Sequence, residues 1–193
     1  QCCRTDCIIS NIITTIQIDN GILIFNNNRY GWVNRNGDFI AHTSYTGLIP
    51  VEEDKTLLVK DENKQWGLLS MTDDTPLLPC SYKEIKSLGE GYYGYKNSDN
   101  QWGIADKEGH ILTEARYQSV ASAGEGWIPV KEKGNWHFID STGKEAISLA
   151  ESLSDVTPFH QGLAGVKVKG KWGLIDKNGN FVVLPMYENL DIL

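Results

Sequence analysis

The sequence predicts an all-β fold built from tandem copies of one short unit. Three observations carry this prediction. An aromatic residue recurs every 34 or 36 positions, and a glycine follows it seven positions later in most copies. Short runs of β-branched and aromatic residues lie between residues that favour turns. The chain has 193 residues, of which 40% are hydrophobic and 22% charged, so it is long enough to bury a core shared by several repeats.

The repeat is defined by one aromatic position, which we call the anchor. The anchors are Tyr30, Trp66, Trp102, Trp136 and Trp172. The next residue is glycine in four copies and histidine in the fourth: Gly31, Gly67, Gly103, His137 and Gly173. Two apolar or nearly apolar residues follow, and after them a side chain that can cap a turn: Asn34, Ser70, Asp106, Asp140 or Asp176. Recurrence at so many positions makes chance similarity a poor explanation.

The anchors divide the chain into five repeats, which span 21–54, 55–90, 91–125, 126–161 and 162–193. Residues 1–20 are expected to form a cap or the tail of a preceding repeat. A repeat of about 36 residues is unstable alone, and stacking against its neighbours buries its second face. We expect three antiparallel strands in each repeat and a superhelical β-array. The alternative is a closed, propeller-like ring, with residues 8–18 completing the last repeat.

The fifth repeat shows why each segment is expected to form a strand or a turn. Apolar residues alternate along 162–169, which suits a half-buried strand. A second strand covers 172–175, and a hairpin turn follows at 176–179, where Asp bonds the nearby backbone and Gly accepts a left-handed conformation. The β-branched and aromatic run 181–184 forms the third strand, which Pro185 ends because proline lacks an N–H.

Each anchor is expected to be the large buried side chain that joins one repeat to the next. The glycine beside it is expected to let a neighbouring ring or backbone approach closely. A tyrosine follows the anchor by 15 or 16 positions in four repeats: Tyr45, Tyr82, Tyr117 and Tyr187. A lysine recurs shortly before the anchor: Lys60, Lys96, Lys131 and Lys167.

The repeat resembles the bacterial WG repeat, also called the KWG repeat. The resemblance rests on the sequence KWGLIDKNG at Lys171–Gly179, on Pro158–Ala164 before it and on Leu184–Glu188 after it. It covers residues 21–193 and is strongest in the third and fifth repeats. It implies a bacterial repeat module that serves as a scaffold or binding surface, and it supplies no catalytic residue to transfer. We favour an extracytoplasmic location over a cytoplasmic one.

Few residues indicate chemistry. A row of carboxylates at Asp106, Asp140 and Asp176 would suit cations, but turn capping explains these residues better, because Asn34 and Ser70 occupy the same position. No two histidines have the spacing of metal ligands, and no phosphate-binding or nucleophile motif is present. We therefore predict no cofactor and no metal site.

His137 replaces the repeat glycine, which we interpret as drift, although it would be the first residue to inspect in an enzyme. The cysteines are Cys2, Cys3, Cys7 and Cys80. No second cluster of Cys or His at ligand spacing accompanies the first three cysteines, so we expect thiols rather than a zinc site. The chain begins with Gln1 rather than Met, so we expect that it is processed or trimmed and that any targeting segment lies outside it.

The aromatic residues Tyr93, Tyr95 and Trp127 are the candidate binding surface, suited to a protein or to stacking on a glycan. A net charge of −7 argues against nucleic acid or an anionic membrane as the main partner, and no apolar run is long enough to span a membrane. The function predicted is a non-enzymatic module that binds a protein partner or acts as a scaffold. An extracytoplasmic glycan- or envelope-binding module is the first alternative, and an enzyme is the second.

Overall fold

The structure is a computed structural model that describes residues 14–18, 21–73, 75–147 and 149–190, and these residues form strands, turns and no helix. The prediction of an all-β chain of tandem repeats is confirmed. No helix suited to crossing a membrane is found in the part of the chain that is described.

The described strands form five four-stranded sheets, each with its strands side by side in chain order. Sheet 1 contains β1 (Thr14–Ile18), β2 (Gly21–Asn26), β3 (Arg29–Asn34) and β4 (Phe39–Tyr45). Sheet 2 contains β5 (Gly47–Val51), β6 (Thr56–Lys60), β7 (Trp66–Ser70) and β8 (Pro76–Tyr82). Sheet 3 contains β9 (Glu84–Gly89), β10 (Tyr92–Lys96), β11 (Trp102–Asp106) and β12 (Ile111–Tyr117). Sheet 4 contains β13 (Ser119–Val120), β14 (Ile128–Glu132), β15 (Asn135–Ile139) and β16 (Glu145–Ile147). Sheet 5 contains β17 (Leu153–Val156), β18 (Leu163–Val168), β19 (Lys171–Asp176) and β20 (Phe181–Tyr187).

The chain folds as two compact units. The first comprises the described residues up to Ile85 together with Lys107–Gly109, and the second comprises Lys86–Asp106 together with the described residues from His110 onward. Sheets 1 and 2 therefore belong to the first compact unit. Sheets 4 and 5 and most of sheet 3 belong to the second.

Every sheet has one strand more than the three predicted for each repeat. The additional strand comes first in its sheet and lies before the predicted start of the repeat, as β5 does within 21–54. Each sheet therefore begins earlier in the chain than the predicted repeat. In sheet 2 the reason is that β5 pairs with β6, with Leu48 opposite Val59. In sheet 1 this strand is β1, so residues 14–18 of the predicted cap pair with β2.

Each sheet presents two different faces. We call the side that carries the anchor the anchor face, and the side that carries the following residue the glycine face. In the first compact unit, Trp32 and Ala41 on the anchor face of sheet 1 pack with Leu57 and Val59 on the glycine face of sheet 2.

The same packing recurs twice in the second compact unit. Between sheets 3 and 4 the cluster contains Trp102, Ile104 and Tyr117 on one side and Val120, Ile128, Val130 and Ile139 on the other. Between sheets 4 and 5 it contains Phe138 and Ile147 on one side and Leu153, Val156, Ala164, Val166 and Ile175 on the other. In each of these three pairs of sheets, the anchor face of one sheet covers the glycine face of the next, and burial of this apolar surface stabilises the pair.

Carboxylates add a polar link between repeats of the second compact unit. Glu90 accepts hydrogen bonds from the backbone N–H groups of Glu125 (2.7 Å) and Gly126 (2.8 Å). One repeat later, Glu125 accepts from the N–H of Gly162 (3.1 Å) and pairs with Lys177 (2.7 Å). Each turn thus holds the equivalent turn of the following repeat.

Candidate functional site

The five anchors occupy equivalent places in their sheets. Each lies in the third strand of its sheet, in the first or second position of β3, β7, β11, β15 or β19. In four sheets the anchor lies opposite a tyrosine of the fourth strand; the pairs are Tyr30–Tyr45, Trp66–Tyr82, Trp102–Tyr117 and Trp172–Tyr187. The recurring tyrosine is therefore the cross-strand neighbour of the anchor.

The anchors are less buried than predicted. Among them only Trp102 is buried, whereas Trp66, Trp136 and Trp172 are half-buried. The anchors lie at the beginning of the third strand, next to the turn that connects it to the second strand, and therefore at one end of the sheet. The fully buried position lies two residues further along the same face, and it is occupied by Trp32, Leu68, Ile104 and Phe138, each with 0% of its surface exposed.

A lysine on the neighbouring strand lies directly opposite each tryptophan anchor. The distances from the lysine Nζ to the ring centroid are 5.4 Å for Lys60–Trp66, 5.2 Å for Lys96–Trp102, 6.0 Å for Lys131–Trp136 and 5.5 Å for Lys167–Trp172. These are cation–π distances. The first repeat has Phe25 and Tyr30 in the same two positions, with ring centroids 4.8 Å apart.

The glycine after the anchor faces a β-bulge in the fourth strand. In sheet 2, Trp66 pairs with Tyr82 and Leu68 pairs with Leu78, so β8 carries two more residues than β7 over this stretch. A Cβ atom on Gly67 would lie 2.9 Å from both the carbonyl oxygen of Leu78 and the backbone nitrogen of Cys80. The glycine is needed because the bulged backbone occupies the space of a side chain.

The other repeats support this explanation. Gly31 and Gly173 also face bulged backbone, whereas Gly103 faces the ring of Tyr95. In sheet 4, β16 spans Glu145–Ile147 and its described pairs stop at Phe138–Ile147, one residue short of His137. Among the described pairs, therefore, no bulged backbone lies opposite His137, in keeping with a side chain at this position.

His137 is buried beside an aromatic ring and charged side chains. Its ring lies 6.0 Å from that of Tyr117, and its Nε2 lies 3.9 Å from a carboxylate oxygen of Glu145. Burial lowers the pKa of His137, although the carboxylates of Glu145 and Glu132 act in the opposite direction. This histidine is a core residue of sheet 4.

The predicted binding surface of Tyr93, Tyr95 and Trp127 is wrong for both tyrosines. Tyr93 and Tyr95 are buried, and the hydroxyl of Tyr95 donates to the carbonyl oxygen of Thr113 (2.9 Å). Both side chains lie on the glycine face of sheet 3. Trp127 is half-buried, with its ring centroid 6.1 Å from that of Phe159. The three residues therefore form no exposed platform for a sugar ring.

The recurring turn residue caps its turn, as predicted. Asp140 accepts from the N–H groups of Thr142 (2.8 Å) and Lys144 (3.1 Å), and Asp176 accepts from those of Asn178 (2.9 Å) and Asn180 (2.8 Å). Asn34, Ser70 and Asp106 make bonds of the same kind. The Thr142 hydroxyl lowers the pKa of Asp140, and the N–H of Asn180 lowers that of Asp176. Within the described ranges, no group of His, Cys, Asp or Glu side chains is arranged to hold a metal ion.

Cys80 is half-buried and forms no disulfide bond with any described residue. Burial raises the pKa of its thiol, and the negative charge of Asp61 acts in the same direction, so the thiolate is disfavoured. Cys2, Cys3 and Cys7 lie outside the described residues. The exposed chemistry that recurs from repeat to repeat is thus the Lys–Trp pair.

Several solved structures are similar to this chain at low sequence identity. A crystal structure of the eukaryotic initiation factor matches with a TM-score of 0.58 and 10% identity, over 92% of this chain and 55% of that one. The WD40 β-propeller domain of Doa1 matches with a TM-score of 0.41 and 12% identity, over 89% of this chain and 67% of that one. Hsv2 of Kluyveromyces lactis matches with a TM-score of 0.47 and 11% identity, over 84% of this chain and 59% of that one.

This chain thus spans 55% to 67% of the length of these three proteins. At such identities the likeness concerns the fold alone. No curated protein matches the sequence significantly.

The family comparison agrees with the spacing of the anchors. The family described as "WG containing repeat" matches three consecutive stretches, at residues 102–136, 138–172 and 172–191. Each stretch begins or ends at a tryptophan anchor, or lies beside one. The chain belongs to the family of WG repeat proteins.

Proposed function

We propose that this chain is a non-enzymatic module that binds a protein partner through its Lys–Trp pairs. The observation that carries the proposal is the partial exposure of Trp136 and Trp172, each with a lysine Nζ within 6.0 Å of its ring centroid. The repeat retains its largest side chain at a position that its own core does not fully cover. Tryptophan is over-represented among the residues that dominate the energy of protein interfaces.

The charge beside these anchors favours an acidic partner. Lys133 follows Lys131 in the β14–β15 turn, and Lys169 follows Lys167 in the β18–β19 turn. Each site therefore combines an apolar ring surface with two ammonium groups. An extended peptide that places Asp or Glu next to a large apolar side chain matches this combination.

The alternatives have less support. An enzyme requires polar groups that converge in an open cleft, whereas the residue that breaks the repeat, His137, is buried, with only 6% of its surface exposed. A glycan-binding module requires exposed aromatic platforms, and two of the three residues predicted for that role, Tyr93 and Tyr95, are buried.

Binding to defined peptides tests the proposal. The whole chain is titrated with extended peptides that alternate Glu and Leu, with scrambled versions, and with basic peptides of equal length, using tryptophan fluorescence and calorimetry. We expect the acidic peptides to bind best. A Trp136→Ala/Trp172→Ala variant should lose at least roughly tenfold in affinity, whereas Glu114→Ala, an exposed change on β12, should not.

Two results would overturn the proposal. One is equal binding of acidic, scrambled and basic peptides; the other is unchanged affinity in the double tryptophan variant. An oligosaccharide panel is titrated in parallel. A fluorescence change with sugars and none with peptides would reject protein binding in favour of a glycan-binding module.

A further inference from the structure

Each anchor is preceded by a turn that contains a residue in the left-handed backbone conformation. This turn joins the second and third strands of the sheet, and we call it the anchor turn. Its left-handed residues other than glycine have φ values between +48° and +64°; they are Asn27 and Asn28 in sheet 1, Lys64 in sheet 2, Asn100 in sheet 3, Lys133 in sheet 4 and Lys169 in sheet 5. Asparagine adopts this conformation readily, whereas lysine is disfavoured in it. Lysine in an anchor turn therefore lowers stability relative to asparagine.

The choice between lysine and asparagine follows the exposure of the anchor. The sheets with a lysine are those whose anchor is a half-buried tryptophan; the pairs are Lys64 and Trp66, Lys133 and Trp136, and Lys169 and Trp172. Asparagine occurs in sheet 1, whose anchor is Tyr30, and in sheet 3, whose anchor Trp102 is buried. The requirements of the turn alone would not produce this correspondence. The lysine is therefore linked to an accessible tryptophan ring.

The ring of Trp102 is already occupied from within its own sheet. In addition to Lys96, which lies opposite Trp102, Lys86 of β9 places its Nζ 4.7 Å from the ring centroid. The same ammonium group donates to the carbonyl oxygen of Val120 (3.0 Å). Two lysines thus engage a ring of which only 6% is exposed. This anchor has a structural role, and its turn contains the residue that the turn favours.

The three lysines of the anchor turns have ammonium groups that remain available. Lys64, Lys133 and Lys169 are exposed, and none of them makes an ion pair or a side-chain hydrogen bond with a described residue. The lysine opposite the anchor differs, because it already lies over the ring, as Lys131 does over Trp136. An ammonium group in an anchor turn can therefore pair with a carboxylate of a bound chain.

Other charged residues with a left-handed backbone act through their side chains. Glu90 and Glu125 lie in turns between first and second strands, with φ values of +53° and +52°. Glu90 accepts from the N–H of Glu125 (2.7 Å), and Glu125 accepts from that of Gly162 (3.1 Å). Unfavourable backbone conformations are common where a side chain has a function. The lysines of the anchor turns have no such contact with a described residue, so we expect theirs to be with a partner.

We propose that Lys64, Lys133 and Lys169 select an acidic partner, each by pairing with an Asp or Glu side chain next to the apolar side chain that covers the half-buried tryptophan. This inference rests on the proposed function and refines it. It assigns binding to sheets 2, 4 and 5 and excludes sheets 1 and 3. It also separates the two lysines of each site, because the lysine opposite the anchor holds the ring and the lysine of the turn contacts the carboxylate.

Urea denaturation and peptide binding of the whole chain, measured together, test the inference. The Lys64→Asn/Lys133→Asn/Lys169→Asn variant, called the turn variant, introduces the residue that sheets 1 and 3 have. It should unfold at a higher urea concentration, because asparagine tolerates the left-handed backbone. It should bind the peptide that alternates Glu and Leu roughly three- to tenfold more weakly, and its affinity should depend less on salt. A purely structural lysine would not change stability and affinity in opposite directions.

A matched control removes the same charge from the opposite ends of the strands. The Lys55→Asn/Lys107→Asn/Lys144→Asn variant changes turns that are not next to an anchor. Lys55 also has a left-handed backbone, with a φ of +54°, so the control includes the same relief of backbone strain. It should bind the peptide like the wild type. If the turn variant fails to fold, Lys133→Asn/Lys169→Asn replaces it, with Lys107→Asn/Lys144→Asn as its control.

The outcomes separate this inference from the proposed function. Unchanged peptide affinity in the turn variant overturns the inference, and the proposed function stands if Trp136→Ala/Trp172→Ala still weakens binding. An equal loss of affinity in the turn variant and the control also overturns it, because net charge alone would then explain selection. A turn variant that unfolds at a lower urea concentration contradicts the argument from backbone strain. A wild type that binds no peptide overturns the proposed function and this inference with it.

Discussion

Substitution of Gly67 by alanine tests the structural reason for the repeat glycine. Alanine normally improves a strand interior over glycine by about 0.5 to 1 kcal/mol, because glycine loses more backbone freedom on folding. At Gly67, however, the added Cβ would lie 2.9 Å from two backbone atoms of the bulge and 2.7 Å from the Sγ of Cys80. Ordinary contact begins near 3.4 Å, so β8 would have to move by several tenths of an ångström.

Overpacking of this kind costs about 1 to 3 kcal/mol, and the gain from alanine offsets part of it, so the net effect of Gly67→Ala is a loss of up to about 2.5 kcal/mol, with a central value of about 1 kcal/mol. The assay is urea denaturation of the whole chain, followed by tryptophan fluorescence and by hydrogen exchange in β7 and β8. Gly47→Ala is the matched control. Its new Cβ would meet the Cβ of Lys60 at 3.2 Å, and the remaining neighbours are flexible or more distant side-chain atoms.

We expect Gly47→Ala to be neutral or slightly stabilising. The reasoning is refuted if Gly67→Ala is as stable as the wild type, or if both alanine variants change stability by the same amount. Either outcome would mean that the bulged backbone moves aside without cost, and the repeat glycine would need another explanation.

Three further predictions concern residues of the second compact unit. Tyr95→Phe leaves the buried carbonyl of Thr113 without the hydroxyl donor and should cost about 1 to 2 kcal/mol in urea denaturation; an unchanged midpoint would contradict this. The lowered pKa of His137 should make stability decline as pH falls below about 6.5, and His137→Gln should flatten that decline in the same assay. Removing Lys167 and Trp172 singly and together should give a coupling energy of about 0.5 to 1 kcal/mol, whereas additive losses would deny a cation–π pair.

The repeat, its turns and its all-β class could be predicted because they depend on local sequence. Hairpin turns need residues that accept particular backbone angles or bond their own backbone. Gly143 and Gly179 have φ values of +78° and +81°, and Asp140 and Asp176 accept the expected N–H bonds. These turn residues recur once in each repeat, so they can be recognised in the sequence without knowing which strands pair.

The site was harder to predict because it depends on register and stacking. Alternation along a strand predicts one buried and one exposed face, but Tyr93, Gly94 and Tyr95 are buried in succession. The recurring lysine was visible in the sequence. Its position opposite the anchor, as in Lys131–Trp136, follows only from the pairing of β14 with β15.

The bulge opposite the repeat glycine has a consequence for how this chain folds. Five similar hairpins in one polypeptide offer each strand several near-identical partners, and a strand that slips or pairs with the wrong copy would trap a misfolded chain. The bulge in the fourth strand, which contains two additional residues, fits only against a third strand that has glycine opposite the bulge. That pairing identifies the correct register at Gly31, Gly67 and Gly173. The Trp–Gly dipeptide for which the family is named thus sets the register between the third and fourth strands as the chain folds.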